Sequence, residues 1–330
     1  MAIPRVYSAP HLSIVIPCPG GGELFEETLV SVLQNRPQDC EILVVYPGTY
    51  ADPYNLRGEV DFVEAPVGAT LLELVNLGFD CARGDVVHLL QCGVEVDEGW
   101  TAAVRACFDD PRVGAAAPVL FDKLGDAPPT VGVRYGLGGR RVCVVAGGRD
   151  PEGQSLVLGP TLRAAFYRRE AVRSVGGVDP AVGEELADVD LALSLQEAGY
   201  RAVVVLASGT RYRPAASLPG RDEFREALRE ERLFRKHAAA QGWRRSLLGH
   251  AWHIACETIV SFPRPRTFTR LLGRARAWLE KAPACPPASP PEAVPASARY
   301  RAAPGRRSKP ELGIPRRPAR AAAGAKRHVA

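Results

Sequence analysis

Three groups of residues have side chains or backbone suited to chemistry: the acids of Asp188-Val189-Asp190, the thiol of Cys18, and the run Gly20-Gly21-Gly22. Asp188 and Asp190 stand two apart at the start of a segment of helical period, Asp188–Ala198, so on one helix they point in different directions. Asp is also a favoured residue at a helix start, which leaves capping as the structural alternative for Asp188. Glu184 and Glu185, just before it, are secondary acids. Cys18 directly follows a strand-like run and has no His close in sequence to activate it, which fits a pocket wall better than a nucleophile. The three glycines can let a phosphate approach backbone amides, but no Lys-Ser/Thr follows and no G-x-G-x-x-G is complete, so a plain loop is the simpler reading. His237, His250 and His253 lie at non-ligand spacing and read as surface or packing residues. The eight cysteines form no C-x-x-C pair, which argues against a zinc knuckle and for reduced, mostly buried thiols.

The apolar pattern predicts the elements that hold these residues. Strand-like Leu12–Ile16, Glu41–Tyr46, Asp85–Leu90 and Val113–Val119 alternate with helical Glu23–Gln34, Leu71–Ala82 and Glu98–Phe108, the signature of βαβ units and a parallel, doubly wound sheet. Ligands of such a sheet sit at strand C-terminal ends. Residues 122–154 are rich in Gly and Pro around a β-like core Arg141–Ala146, as in a loop or hairpin insertion. A second α/β portion follows: strand Leu162–Tyr167, helix Arg168–Val175, helix Asp188–Ala198 and strand Ala202–Leu206. Arg221–Ala240 reads as a solvated outer helix with a thin apolar stripe of Phe224, Leu228 and Leu233 and i,i+4 support such as Glu231 with Arg235.

Four spaced blocks carry a resemblance. They are Leu12-Ser-Ile-Val-Ile-Pro17 with its following helix, Glu41-Ile-Leu-Val-Val45 with Gly48, Asn76-Leu-Gly78 with Ala82-Arg-Gly-Asp85 and Gly99-Trp100, and Arg168–Asp179 followed by Asp188-Val-Asp-Leu191 and Ala198-Gly-Tyr-Arg201. In order and spacing they resemble a family 2 glycosyltransferase domain of the GT-A fold over roughly residues 11–240. The resemblance implies transfer of a sugar from a nucleotide-diphosphate donor to an acceptor hydroxyl, with Mg²⁺ or Mn²⁺ held by carboxylates, a carboxylate base, and the nucleotide gripped at the strand ends. It implies donor-binding positions at Pro17, Cys18, Pro19, Tyr46, Gly48, Gly68, Asn76, Gln91 and Gly93, and Asp188 as the base, acting with inversion. Where the family has its Asp-x-Asp metal motif this chain reads Gln91-Cys92-Gly93, and where it has an Asp-Asp-Gly-Ser turn the chain reads Tyr46-Pro47-Gly48-Thr49. Asp52, Glu95, Asp97 and Glu98 lie nearby but out of register, so the metal ligands are unassigned. The rival reading is a binding or scaffold module that keeps the fold without the metal site.

Composition sets the remaining limits. With 46% hydrophobic and 24% charged residues the chain can bury a sizeable core. The net charge of +5 divides unevenly: residues 282–330 hold ten Arg/Lys against two acids, and residues 1–281 hold thirty-two against thirty-five. The Pro/Ala/Arg-rich stretch 282–330 reads as a disordered, solubilising tail, and no specific nucleic-acid partner is expected. Residues 1–10 read as an extension, 11–241 as the transferase-like domain and 242–281 as amphipathic helices. In those helices Leu247, Ala251, Ala255, Ile259 and Phe262 share one face, and Phe268, Leu271, Leu272, Ala275 and Leu279 another, opposite Arg266, Arg270, Arg274 and Lys281. Tryptophans beside an arginine-rich face also suit a membrane interface, giving peripheral membrane contact through 243–281, but the many small apolar residues favour packing against the globular domain. No secretory signal and no apolar run of about 20 residues is present, which points to the cytosol, with a nucleotide sugar and a glycan, lipid or protein acceptor as partners.

Overall fold

The computed structural model describes residues 11–48, 52, 54–136, 140–147, 157–213, 222–238 and 243–280, with backbone alone at 243–246. The expected extension 1–10 and basic stretch 282–330 lie outside them. Strands β1 (Leu12–Pro17), β2 (Cys40–Pro47), β3 (Asp61–Ala65) and β4 (Val86–Leu90) are parallel in the order β3-β2-β1-β4, with α1 (Glu23–Gln34) between β1 and β2 and α2 (Leu71–Cys81) between β3 and β4. Both faces of β1 are covered, so its apolar run is continuous: Ile14 and Ile16 pack with Phe25 and Leu29 of α1, and Val15 with Val75 and Phe79 of α2. The α/β sheet flanked by helices that the periodicity predicts is present.

Beyond β4 the sheet is mixed. β5 (Val94–Val96) lies at the far edge, antiparallel to β10 (Arg201–Tyr212), which runs parallel to β6 (Val113–Asp122). β7 (Thr130–Tyr135) and β8 (Arg141–Val145) form the expected hairpin, and β9 (Ala164–Arg168) inserts antiparallel between β4 and β6. The predicted helix Glu98–Phe108 is reduced to α3 (Ala102–Arg105) and a 3-10 turn, Ala106–Asp109, because Gly99 takes a left-handed φ of 74° that a helix cannot contain. β10 extends well past Leu206 because a register shift between Val205 and Gly209 lets the ladder pass Ala207-Ser208.

The blocks that carry the resemblance act as a frame. A Cβ on Gly78 would lie 2.3 Å from Val15 Cγ1, and one on Gly84 2.7 Å from the Ser13 amide nitrogen, so these glycines let α2 and the chain after it close on β1. Asn76 donates to the Val178 carbonyl at 2.7 Å and accepts from the Val178 amide at 2.8 Å, tying α2 to the turn after α4 (Arg169–Ser174).

The remaining helices are α5 (Ala187–Glu197), α6 (Glu223–His237), α7 (Trp243–Ser261) and α8 (Pro265–Leu279). The solvated outer helix expected over Arg221–Ala240 is corrected: α6 buries Glu230, Glu231, Lys236 and His237 along with Leu233 and Phe234. Glu231 does not support Arg235; it accepts from His250, Arg274 and the Trp278 indole, while Arg235 donates to the Ala277 and Glu280 carbonyls. The packing expected of the apolar faces of α7 and α8 is also corrected, since Ile259, Phe262, Phe268, Leu272 and Leu279 are exposed. No described helix is long and apolar enough to cross a membrane. The seven described cysteines are free, and of them Cys18 alone is fully buried, with Cys81 and Cys143 exposed.

His88, fully buried in β4, stacks on Phe166 with ring centroids 3.6 Å apart and places Nδ1 3.0 Å from the Ala165 carbonyl. Burial pushes its pKa down to about 3, the carbonyl opposing. An unfolded His titrates near 6.5, so below that pH the unfolded chain takes a proton that the folded chain refuses, and stability falls as pH drops. The effect amounts to about 2 kcal/mol between about pH 7 and about pH 5. Urea unfolding of His88→Phe at those two pH values should show that much less acid sensitivity than the parent; an equal loss contradicts the assignment.

Candidate functional site

The ends of β1, β2 and β4 meet at one edge of the sheet. The Cys18 amide donates to the Val45 carbonyl at 2.7 Å, and the Gly48 amide, at a φ of 79°, donates to Ala65 at 2.9 Å, which closes the turn after β2 against β3. Tyr46 is buried, with its hydroxyl 3.4 Å from a Glu64 oxygen. Pro19 is exposed beyond Cys18, and Gly68, at a φ of 85°, lies in the β3–α2 turn next to Val67, whose Cγ2 would stand 3.5 Å from a Cβ on Gly48. After β4, Gln91 donates its amide to the Arg163 carbonyl at 2.9 Å, and the Gly93 amide, at a φ of 87°, bonds to the Leu24 carbonyl and Thr28 hydroxyl. Pro17, Cys18, Tyr46, Gly48, Gln91 and Gly93 thus lie together at the C-terminal ends of β1, β2 and β4. Asn76 does not join them, because both ends of its amide are committed to Val178.

Two features of this edge were not legible in sequence. Cys18 and Cys92 stand beside each other at the ends of β1 and β4, and Cys18 donates to the Gly20 carbonyl at 3.2 Å; the neighbouring Cys92 thiol draws the Cys18 pKa down against its burial, and Cys18 pushes that of Cys92 up. Cys92 also reaches the Pro17 carbonyl at 3.5 Å. Arg163, far from Gln91 in the chain, arrives beside it through the β4–β9 pairing, exposed and with its guanidinium 5.0 Å from the centroid of the Tyr212 ring. Only strand register could have revealed either.

The nearby acids are engaged elsewhere. Glu95 is ion-paired with Lys123, and Asp97 with Arg211. Asp52 accepts from the amides of Leu56 and Arg57 within its own turn, and Glu98 is exposed. No group of three or more His, Cys, Asp or Glu side chains is placed to hold a metal among the described residues. Mg²⁺ and Mn²⁺ need several oxygen ligands, and a turn of Gln91, Cys92 and Gly93 offers one amide oxygen, one thiol and backbone, so these residues do not fit the implied metal. The cavity lined by His11, Asp85, Arg105, Arg168 and Arg173 lies at the opposite ends of β1 and β4 and does not belong to this edge.

Asp188 is the second residue of α5, 3% exposed, and the helix is capped at Leu186, so the capping alternative does not hold. Arg141 reaches it from the β7–β8 hairpin: Nε lies 2.9 Å from each carboxylate oxygen and Nη2 2.7 Å from Oδ2, while the Val189 amide donates to Oδ1 at 2.9 Å. Burial opposes the charge on Arg141, but Asp188 more than offsets it and the guanidinium pKa is raised. Each carboxylate oxygen thus has two N–H donors directed at it. Asp190 points the other way, as the spacing requires, and bonds to Lys236 at 2.9 Å and His237 at 2.8 Å. Glu184 is exposed, and Glu185 pairs with Arg229 at 2.8 Å.

No protein-family model and no curated protein sequence matches the chain. Among solved structures, GalNAc-T7 with UDP, GalNAc and Mn²⁺ aligns at a TM-score of 0.52 and 16% identity, over 69% of this chain and 48% of that one. The chain therefore spans about half the length of that protein. The mannosyltransferase PcManGT from Pyrobaculum calidifontis, in complex with GDP-Man and Mn²⁺, aligns at 0.47 and 16% identity over 83% and 77%. The likeness is one of fold: the chain has the mixed α/β architecture of GT-A glycosyltransferases.

Replacing Arg141 by Ala leaves a buried carboxylate without its cation, at an expected cost of about 3 kcal/mol in urea unfolding. Arg141→Lys should recover part of it, since an ammonium cannot repeat the forked contact. A cost below about 0.5 kcal/mol for Arg141→Ala would show that the pair carries no such weight.

Proposed function

We propose that the chain is a glycosyltransferase of the family 2 type that binds a nucleotide-sugar donor at the ends of β1, β2 and β4. The observation that carries this reading is the convergence of Cys18, Gly48 and Gln91 at one edge of a GT-A sheet, in the order that the sequence blocks prescribe. Pro17, Pro19, Tyr46, Gly68 and Gly93 complete the donor wall in this reading, and Asn76 is reassigned from donor contact to holding α2 in place. The aligned GalNAc-T7 structure carries UDP with Mn²⁺. Because the residues here do not fit that metal, no step is assigned to it; Arg163, beside Gln91, is the fixed positive charge proposed to meet the donor diphosphate.

In the proposed step the acceptor hydroxyl oxygen bonds to the anomeric carbon from the face opposite the nucleoside diphosphate, and the bond to that leaving group breaks. Asp188 takes the hydroxyl proton and the configuration inverts. Arg141 must first release one oxygen of Asp188, so the position of the β7–β8 hairpin governs whether the base is available. A second reading, a donor-binding module without turnover, is favoured by that same grip on Asp188 and by the missing acids at Gln91-Cys92-Gly93.

The test combines thermal melts with a transfer assay over a panel of UDP- and GDP-sugars. A bound donor at a hundredfold excess over Kd should add about 2.7 kcal/mol of stability, without needing Mn²⁺. Asp188→Asn should lower transfer by about a hundredfold or more while leaving the donor-induced shift in place. Unchanged transfer by Asp188→Asn removes the base assignment. Stabilisation only with Mn²⁺ overturns the reading of the Gln91 turn, and a donor-induced shift without transfer selects the binding module.

A further inference from the structure

α7 and α8 are built inside out. On α8, Arg270 and Arg274 turn toward the protein: Arg270 bonds to Glu230 at 2.7 Å and Glu223 at 3.1 Å, and Arg274 to Glu230 at 3.1 Å and Glu231 at 3.3 Å. Gly273 permits this approach, since a Cβ there would meet the Phe224 carbonyl oxygen at 2.3 Å. On α7 the inward residues are His250, stacked on Phe234 and bonded to Glu231, and Glu257, paired with Arg140, Arg270 and Arg274. The opposite faces are apolar and turned out. Leu248, Trp252 and Ile259 repeat at i, i+4 and i+11 on α7, and Phe268, Leu272 and Leu279 repeat at the same spacing on α8; their exposures run from 52% to 79%. The two stripes meet where Phe262 packs edge-on against Phe268 with centroids 6.1 Å apart. Monomers seldom leave so continuous an apolar face bare.

Charge decides what covers it. Residues 243–280 contain seven arginines and two acids, Glu257 and Glu280, and both acids are ion-paired. Arg264 and Arg266, at the corner between the stripes, and Arg276 are exposed. The sequence continuing from α8 adds ten basic residues against two acids in 282–330. A second copy of the face would set basic rim against basic rim, and the basic stretch 282–330 would meet the same repulsion. A surface that is apolar below and negative above satisfies both parts: apolar side chains enter the boundary between headgroups and acyl chains, arginines meet lipid phosphates, and tryptophan sits at the level between. We propose that the outer face of α7 and α8 is a docking surface for an anionic membrane.

The test is flotation of the full chain with vesicles of phosphatidylcholine alone and of phosphatidylcholine with phosphatidylglycerol, beside the variants Trp252→Glu and Leu272→Glu. Both positions are exposed, and unchanged far-UV circular dichroism and urea midpoint verify folding. The parent should float with the anionic vesicles and much less with the neutral ones, and each substitution should weaken binding by about tenfold or more. Raised salt should weaken the parent as well. Absence of flotation, or variants that float like the parent, overturns the proposal. So does a parent that self-associates in light scattering while the variants stay monomeric, which would assign the face to a second copy. Neither result touches the donor site, which the melts probe separately.

Discussion

Buried carboxylates need cations, and in this chain that need arranges most of what lies outside the parallel half of the sheet. Asp188, Asp190, Glu230 and Glu231 are each 5% exposed or less. An ion of this kind left without a partner costs about 3–5 kcal/mol, so each carboxylate fixes where a basic side chain must go. Asp190 draws Lys236 and His237, which seats α6 on α5. Glu230 and Glu231 draw Arg270 and Arg274, which lays α8 along α6. For Glu231, burial is outweighed by His250, Trp278 and Arg274 and its pKa falls, whereas for Glu230 burial prevails and its pKa rises. Helix α8 is amphipathic; with Arg270 and Arg274 committed inward to Glu230 and Glu231, Phe268, Leu272 and Leu279 face out.

The same constraint bears on the edge where β1, β2 and β4 end. Asp188 is oriented by Arg141, and the hairpin that supplies Arg141 is pinned to α5 by that contact. The turn after β4 has no acid to impose such a demand. It is organised by the thiol bonds of Cys18 to the Gly20 carbonyl and Cys92 to the Pro17 carbonyl, and by backbone amides bonded to the Arg163 and Leu24 carbonyls and the Thr28 hydroxyl. Electrostatic work at this edge therefore falls to side chains such as Arg163, which stands on a tyrosine rather than on a carboxylate. This makes the edge unlike one built around a divalent cation.

How much of this could be read from the sequence follows from the range of the interactions. β1, α1 and α2 were legible nearly to the residue, because the period of each is local and both faces of β1 are buried. The glycines at 78 and 84 were legible as a motif, although their reason, the approach to Val15 and Ser13, appears only in three dimensions. That Pro17, Cys18, Gly48, Gln91 and Gly93 lie at one edge was legible because strand ends converge wherever parallel strands do. Asn76 was misread because a partner 102 residues away takes both ends of its amide. The charge run of α6 was misread for the same kind of reason: Glu230 looks solvated until Arg270, forty residues later, is set against it. Periodicity marked Phe268, Leu272 and Leu279 as one stripe of α8 but could not say which side of the helix the protein would take, and on α7 it grouped Leu247, Ala251 and Ala255 with Ile259, where the large exposed side chains are Leu248, Trp252 and Ile259.

The account turns on whether the buried pairs between α6 and α8 hold the molecule in this arrangement. A double-mutant cycle in the full chain measures this most directly, using Glu230→Gln, Arg270→Met and both together in urea unfolding. The account predicts a coupling energy of about 2 kcal/mol between the two positions, the range found for residues sharing one buried network. Additive losses, with coupling below about 0.5 kcal/mol, would contradict it and would return α6 to the solvated helix that its charge pattern suggests.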